Sequence, residues 1–127
     1  MRALIVNSPH GYIDLLTPLP DGAVISSVAK GSYPFVQLFA SRRSEIMKSA
    51  PILLKRACPN ALVWIAYPKK TSGAATDLSR DEVREAVAGF RWRTVSIISI
   101  DGTWSALRIR PEREVKPVRP SQPGKKL

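Results

Sequence analysis

The feature that most constrains the fold is an unbroken apolar run, from Ala61 to Tyr67, that ends in a proline, two lysines and a small-residue turn, Pro68–Gly73. Continuous apolar runs of this length are typical of strands buried on both faces, as the strands of parallel sheets are. In open α/β sheets, ligands bind where loops leave the carboxyl ends of the strands. The run therefore predicts a central parallel strand that opens directly into a cationic loop at a candidate binding edge.

Shorter apolar segments around this run predict further strands, over residues 2–6, 23–27 and 35–40. A short helix is expected after the first strand, over residues 9–16, because a proline there follows a serine that can cap the helix. The dipeptide Pro59–Asn60 predicts a turn that leads into the central run. Strands therefore alternate with helical segments, which is the pattern of a parallel α/β sheet.

Two later segments predict helices. Residues 41–57 place apolar side chains at helical spacing, but Pro51 interrupts them, so we expect a kink or two short helices meeting there. The next helix is expected to begin after Ser79, which forms a capping box with Glu82. Gly89 is expected to end that helix, since glycine commonly supplies the last turn.

The last two strands are expected over residues 93–100 and 103–110, on either side of Asp101-Gly102, a dipeptide that favours a tight hairpin. Together the elements predict an α/β fold: a three-layer, mostly parallel doubly wound sheet that ends in an antiparallel hairpin. This is a truncated version of the methyltransferase-like arrangement. A likeness at the level of the fold carries no activity with it.

Composition bounds the class of protein and its location. The chain of 127 residues is long enough for one domain, which we place at residues 1–110. No apolar run approaches the length of about 20 residues that crosses a bilayer, so no membrane partner is expected. Residues 1–7 are too short an apolar segment for a signal peptide, and Cys58 has no second cysteine to pair with. A cytoplasmic protein is expected.

Several stretches around the two predicted loops form a long and specific combination. They are Trp64-Ile-Ala-Tyr-Pro-Lys-Lys-Thr-Ser-Gly73, Thr76-Asp-Leu78 with Val83-Arg84, and Asp101 with Trp104-Ser105 and Leu107. This combination resembles the domain-of-unknown-function 3052 family of small bacterial proteins, and the likeness extends from about Ala3 to Arg108. The chain departs from the family pattern at Gly102, where a longer residue is common, and at Ala106, where glycine is common. Because the family has no assigned activity, the resemblance implies the architecture and no chemistry.

Loops after parallel strands converge on one edge of a sheet, and three of them here carry cations, hydroxyls or glycine. Helix starts at the same edge add free N–H groups, which favour anions. We therefore expect a phosphate- or carboxylate-bearing ligand there. The residues expected to bind it are His10, Gly11, Arg42, Arg43, Lys69, Lys70, Ser72, Gly73 and Asp101. The alternative is that the two lysines are solvated or pair with nearby aspartates, Asp77, Asp81 or Asp101.

The loop after the first strand argues against the obvious enzyme of this fold. An S-adenosylmethionine methyltransferase needs a glycine-rich turn there and an acidic residue after the second strand. This chain has Asn7–Gly11, with a proline and one glycine, and then Ser26-Ser27-Val28. We therefore expect neither a functional methyltransferase nor a bound cofactor. One histidine and one cysteine also cannot build a standard zinc site, so no metal is expected.

The sequence thus predicts a non-catalytic binding module for an anionic ligand, as a monomer or homodimer, with no catalytic residue assigned. The alternative is an accessory protein that binds nucleic acid. The net charge is +10, and residues 111–127 carry prolines among basic residues, as disordered tails do. Arg91 and Arg93 flank Trp92, a pattern found in single-strand binders. An enzyme that uses His10 or Asp101 as acid or base is the third reading.

Overall fold

Residues 2–9, 12, 24–26, 31–73 and 76–114 of the chain are described by the computed structural model. Within them the backbone forms six strands. These are β1 (Arg2–Val6), β2 (Val24–Ser26), β3 (Tyr33–Phe39), β4 (Ala57–Pro68), β5 (Trp92–Ser99) and β6 (Trp104–Pro111). They belong to one sheet with the order β2-β1-β3-β4-β6-β5. The first four strands are parallel, and β6 is antiparallel to both of its neighbours. The predicted mostly parallel sheet with a terminal antiparallel hairpin is confirmed.

The helix after β3 is α1 (Arg43–Leu54), and it runs as one element of 12 residues with Pro51 inside it. The alternative of two short helices meeting at Pro51 is therefore wrong. Pro51 lies in the last turn, where its missing N–H removes only one hydrogen bond before the helix ends. The chain then leaves the helix earlier than predicted, because Ala57 already belongs to β4.

The second helix, α2 (Arg80–Ala88), begins as predicted, since the backbone N–H of Glu82 donates to Ser79 Oγ at 3.3 Å. It also ends as predicted, since Ala88 is its last residue and Gly89 its C-terminal cap. Gly89 keeps a right-handed φ of −62°, and its N–H still donates to the Glu85 carbonyl. The left-handed residue that turns the chain toward β5 is Arg91, with φ of 65°. Among the described residues, no helix is long and apolar enough to cross a membrane.

Two predicted turns have a different geometry. Pro59–Asn60 lies inside β4 as an irregularity in its pairing with β3, and Asn60 has φ of 62°. Neither Asp101 nor Gly102 has the positive φ that a two-residue Asp-Gly turn requires. Instead, a longer loop is closed by the Ile100 N–H, which donates to the Trp104 carbonyl at 2.9 Å. The predicted hairpin is confirmed, but the prediction of a tight turn at Asp101-Gly102 is wrong.

The sheet has apolar side chains on both faces. The helix-bearing face packs against α1 and α2, and its largest cluster includes Leu4, Val36, Ile46, Val63, Val83, Leu107 and Ile109. The opposite face is centred on a smaller cluster of Ile5, Phe39, Ala66 and Ala106. Tyr12 packs on this second cluster in helical conformation, and the rest of the helix predicted over residues 9–16 lies almost wholly outside the described residues.

The carboxyl-terminal end of the described chain continues past the predicted domain boundary. Pro111 is the last residue of β6, and Glu112–Glu114 form a 3-10 turn. The Glu112 N–H donates to the Arg91 carbonyl at 2.8 Å, which ties this turn to the start of β5. The first residues of the predicted tail therefore belong to the fold, and residues 115–127 lie outside the described residues.

Candidate functional site

The loops at the carboxyl edge of the sheet are joined to one another by hydrogen bonds. Thr76 Oγ1 donates to the Ser41 carbonyl at 2.7 Å, which links the loop after β4 to the loop after β3. The Lys69 ammonium reaches across to the hairpin loop and donates to the Asp101 carbonyl. The structure thus brings most of the predicted ligand residues to one edge. His10 and Gly11 lie outside the described residues.

The start of α1 already holds carboxylates of the chain itself. Glu45 Oε1 accepts from the backbone N–H groups of Ser41, at 2.8 Å, and Arg42, at 3.0 Å. Asp77 Oδ1 accepts from the Arg43 N–H at 2.8 Å. These donors were expected to favour an external anion. Because these N–H groups already donate to carboxylates of the chain, the start of α1 contributes little to a ligand site.

The two arginines of this loop have different environments. The Arg43 guanidinium pairs with Glu82 at 3.0 Å and lies 3.6 Å from Glu85, so it links the starts of α1 and α2. Arg42 is exposed. Of the two, Arg42 is the one whose side chain is open to a ligand from solvent, and Arg43 has a role between the helices.

Lys69 is a cation of this edge that neighbouring groups hold in place. Its ammonium donates to Ser99 Oγ and to the Asp101 carbonyl, both at 2.6 Å. Both acceptors are neutral, and no carboxylate of the described residues lies within ion-pair distance of this ammonium. The side chain is therefore fixed in position, while its charge is not compensated by an ion pair.

The residues after Lys69 form the turn that was expected to approach a ligand. Lys70, Thr71 and Ser72 make one 3-10 turn, and Ser72 Oγ donates to the Lys69 carbonyl at 2.6 Å. Gly73 follows with φ of 79°, a conformation that L side chains rarely adopt. Lys70 and Gly73 are exposed. Ser72 thus shapes the turn, and Lys70 presents its charge to solvent.

Asp101 has a structural role in the hairpin loop. Its Oδ1 accepts from the backbone N–H groups of Thr103 and Trp104, both at 2.8 Å. These hydrogen bonds stabilise the carboxylate and lower the pKa of Asp101 below its usual value, and the bond from Trp104 has the largest effect. The nearby charge of Lys69 lowers this pKa further. The carboxylate therefore caps the loop rather than facing the ammonium of Lys69.

A row of hydroxyls that the sequence did not reveal crosses the helix-bearing face at this edge. Tyr67 on β4 pairs with Ser105 on β6, which pairs with Ser99 on β5. Side chains at paired positions of antiparallel strands are neighbours on one face. Only the insertion of β6 between β4 and β5 brings these three together. We call Tyr67, Ser105 and Ser99 the hydroxyl row.

Tyr67 is the most buried hydroxyl of the row, with 6% of its surface exposed. Burial raises its pKa, and the positive charge of Arg80 at the start of α2 opposes that rise. At neutral pH the phenol is therefore a neutral O–H donor. The Ser99 hydroxyl already donates to the Asp101 carbonyl at 3.3 Å, so the groups that can donate to an acceptor group here are the Tyr67 phenol, the Lys69 ammonium and the Arg80 guanidinium.

Some open hollows of the described surface lie at the other edge of the sheet. Two of them, of about 120 and 330 Å³, share the lining residues Leu54, Trp92, Pro111 and Arg113. Neither includes a predicted ligand residue.

Comparison with known proteins supports the architecture. No family model matches the chain, and no curated protein sequence matches it. The solved structures it resembles include the magnesium protoporphyrin IX methyltransferase of Synechocystis with bound SAH, at a TM-score of 0.53 and 12% identity, over 76% of this chain and 53% of that one. Another is a complex of LepI with SAM, at a TM-score of 0.52 and 9% identity, over 84% of this chain and 36% of that one. The methyltransferase-like fold is thereby confirmed.

These similarities are to the fold alone, and the chain spans about half or less of each neighbour's length. The resemblance to the domain-of-unknown-function 3052 family stays a prediction. The two neighbours hold S-adenosyl compounds, so the corresponding crevice at the end of β1 can be compared with the needs of that cofactor.

The described residues at the end of β1 differ from the glycine-rich turn of S-adenosyl sites. Asn7, with φ of 60°, stands where a glycine-rich turn would begin, and Pro9 accepts from the Tyr12 N–H at 3.1 Å. The Tyr12 ring then lies 4.8 Å from Phe39, and its hydroxyl donates to Gln37 Oε1 at 2.9 Å. An aromatic side chain thus occupies the side of the sheet beside this turn.

Proposed function

We propose that this protein is a small binding module that holds an anionic group, such as a phosphate or carboxylate, at the carboxyl edge of its sheet. The observation that carries the proposal is the position of the Lys69 ammonium. It is fixed by Ser99 Oγ and the Asp101 carbonyl, both neutral, and forms no ion pair with a described carboxylate. An ammonium has three N–H donors, and two of them are used here, so one remains for a ligand.

The surroundings of Lys69 support an anion rather than a cation or a neutral group. The hydroxyl row lies beside it on the same face, and the Tyr67 phenol, whose pKa burial raises above the ordinary value of a tyrosine, is protonated at neutral pH. Arg80 lies near Tyr67 at the start of α2 and forms no ion pair with the described carboxylates. Hydrogen bonds from charged donors to phosphate or carboxylate are the stronger kind.

The Lys69 side chain is also held in place before a ligand binds. A free lysine loses side-chain entropy when it binds a ligand, on the order of 2 kcal/mol for full immobilisation. Lys69 is already held by two hydrogen bonds in the folded protein, so much of this cost is met before any ligand arrives. Lys70 and Arg42, which are exposed, would add a more diffuse attraction.

The proposal is tested by thermal unfolding of the full chain with sodium phosphate, sulfate and citrate, against sodium chloride at matched ionic strength. Phosphate and sulfate stabilise proteins generally by exclusion from the surface, an effect that keeps rising with concentration. Site binding instead saturates. At 100 times the dissociation constant it adds about 2.7 kcal/mol, which corresponds to a shift of several degrees.

The variants Lys69→Met and Arg80→Met are expected to lose most of the saturable shift. Lys48→Met, which removes an exposed charge on α1, is the matched control and should keep it. Because Lys69 also holds the hairpin loop, Arg80→Met provides a test that does not alter that contact. A shift in melting temperature that does not saturate and is equal in the wild type and the three variants would contradict the proposal.

A further inference from the structure

The edge of the sheet that β5 forms carries exposed apolar side chains and has no partner strand on its outer side among the described residues. The last five residues of β5, Val95–Ser99, are all exposed. Val95, Ile97 and Ile98 are 40%, 46% and 49% exposed, and they are half of the six large apolar side chains exposed in the described part of the chain. Apolar surface is thus concentrated on an edge strand.

Edge strands of monomeric proteins are usually protected from pairing by prolines, charged side chains or bulges. β5 contains no proline, and Arg93, near its start, is its only charged residue. The strand has one bulge, since its pairing with β6 skips Val95. From Ser96 to Ser99 the pairing with β6 is regular. The second half of this edge therefore has none of these protective features.

The direction of the backbone groups along β5 follows from its pairing with β6. The Ile100 N–H donates to the Trp104 carbonyl at 2.9 Å. In an antiparallel ladder, residues whose N–H and C=O face the neighbouring strand alternate with residues whose groups face away from it. Ile98 therefore faces β6, whereas the N–H and C=O groups of Ile97 and Ser99 point outward from the sheet. On an edge, such groups bond to water or to another strand.

The same strand of a second copy is complementary to this edge. In an antiparallel pair with a two-fold axis at Ile98, Ile97 of each copy lies opposite Ser99 of the other, and each such pair exchanges two backbone hydrogen bonds. The two Ile98 residues form a non-hydrogen-bonded pair, in which the Cα atoms are about 4.5 Å apart and the side chains touch. The two Ile97 side chains are diagonal neighbours on the other face. The exposed isoleucines would thus cover one another on both faces.

The charges near this edge also fit a second copy. Arg93 lies five residues before Ile98 and Asp101 three residues after it, and both are exposed. Because the bulge takes Val95 out of the regular spacing, Arg93 of one copy lies about one residue along the edge from Asp101 of the other. The two Arg93 residues are about 26 Å apart, which exceeds the Debye length of about 8 Å at physiological salt. Opposite charges are brought near one another, and like charges are kept apart.

We propose that the protein forms a two-fold dimer in which β5 pairs antiparallel with β5 of a second copy, with Ile98 at the axis. The same edge of both copies is used, so the association closes at two. One strand is small beside interfaces of about 20–30 residues on each side, and a reversible dimer is therefore expected. The contact needs no anion, so it stands apart from the function proposed for the carboxyl edge.

Sedimentation equilibrium of the full chain, from micromolar to millimolar concentration, should show a monomer and dimer in exchange. Ile98→Lys places two like charges at the axis and should raise the dissociation constant of the dimer about tenfold or more. Ile52→Lys is the matched control, because it puts the same charge on an exposed apolar position of α1, and it should leave the dimer unchanged. Thermal unfolding checks that both variants are folded. A monomer at every concentration, or equal effects of the two substitutions, would overturn the proposal.

Disulfide cross-linking tests the axis. In a Cys58→Ser background, Ile98→Cys should form a covalent dimer under mild oxidation, because paired Cβ atoms of a non-hydrogen-bonded pair are close enough for a disulfide. Ile97→Cys, whose counterpart lies on the diagonal, and Ile52→Cys on α1 should cross-link more slowly. Cross-linking that is no faster at Ile98 than at Ile52 would overturn the proposal.

Amide hydrogen exchange distinguishes a second copy from another segment of this chain. The outward N–H groups of Ile97 and Ser99 should exchange rapidly in dilute protein and become protected as the concentration rises. Protection that is already complete in the dilute monomer would mean that the chain itself covers this edge, and it would overturn the proposal. Assemblies larger than a dimer would contradict the two-fold closure in the same way.

Discussion

The ammonium nitrogen of Lys69 lies 2.6 Å from the backbone carbonyl oxygen of Asp101, so the loop after β4 is fastened to the loop between β5 and β6. The backbone repeats this link, because the Lys69 N–H donates to the Thr103 carbonyl at 2.7 Å. Lys69, which the sequence marked as a ligand cation or as the partner of a nearby aspartate, therefore holds two loops together. Its two roles can be separated by experiment.

Replacement of Lys69 by methionine is expected to lower the free energy of unfolding by about 1 kcal/mol, since two hydrogen bonds from a charged donor are lost near the surface. Lys70→Met is the control, because Lys70 is exposed at the start of the 3-10 turn, and it should change stability by less than about 0.5 kcal/mol. Urea unfolding followed by tryptophan fluorescence measures both. Equal effects of the two substitutions would contradict a fastening role for Lys69.

The stability of the protein should depend on Asp101 at acidic pH. Its pKa in the folded state is lowered by the Trp104 and Thr103 N–H groups, so its contribution is present above the unfolded pKa of about 3.9. That contribution is lost as the pH falls through the lower, folded pKa. Asp101→Asn keeps an oxygen acceptor but loses the charge. The difference between wild type and variant, measured by urea unfolding, should be largest near neutral pH and vanish below that folded pKa.

A stability difference between wild type and Asp101→Asn that does not depend on pH would contradict this prediction. A variant that is less stable than wild type by the same margin at every pH would mean that the carboxylate acts through its shape alone. The charge would then add nothing to the two hydrogen bonds of the hairpin loop.

The ion pair between Arg43 and Glu82 should couple the starts of α1 and α2. Its side chains are 39% and 43% exposed, so solvent screens it only in part. A double-mutant cycle of Arg43→Gln and Glu82→Gln is expected to give a coupling free energy of about 0.5–1 kcal/mol that shrinks in high salt. The more exposed pair of Arg84 and Asp81 is the control, and its coupling should be smaller. Equal coupling in both pairs would contradict a clamp at Arg43.

The sequence predicted the strands and the capped helix because their signals are local. The run Ala61–Tyr67 is apolar throughout and forms the carboxyl-terminal part of β4, and Ser79 caps α2 as its spacing with Glu82 predicts. Gly89 ends α2 as predicted, although it keeps a right-handed φ, because glycine permits a left-handed turn without requiring one. The left-handed residue is Arg91, directly before β5 begins.

The candidate site was only partly predictable, because its partners lie far apart in the chain. Arg43 and Glu82 are 39 residues apart, and nothing in their spacing shows that they meet. The hydroxyl row depends on β6 pairing with β4, so that Ser105 lies between Tyr67 and Ser99. Which strand of a hairpin joins a sheet is decided by packing of whole elements, and local patterns do not reveal it.

The hydrogen bond from the Tyr12 hydroxyl to Gln37 Oε1 predicts an asymmetry between single and double substitutions. Gln37 is buried on β3, so Tyr12→Phe leaves its carbonyl oxygen without this donor and should destabilise the protein by about 1–2 kcal/mol. Adding Gln37→Met removes the polar group in turn and keeps a flexible side chain of similar length, so the double variant should recover much of that loss. Chemical unfolding of the wild type, Tyr12→Phe, Gln37→Met and the double variant gives the double-mutant cycle. If the double variant loses the sum of the two single effects, the hydroxyl and the amide do not satisfy each other, and Tyr12 contributes through its ring contact with Phe39 alone.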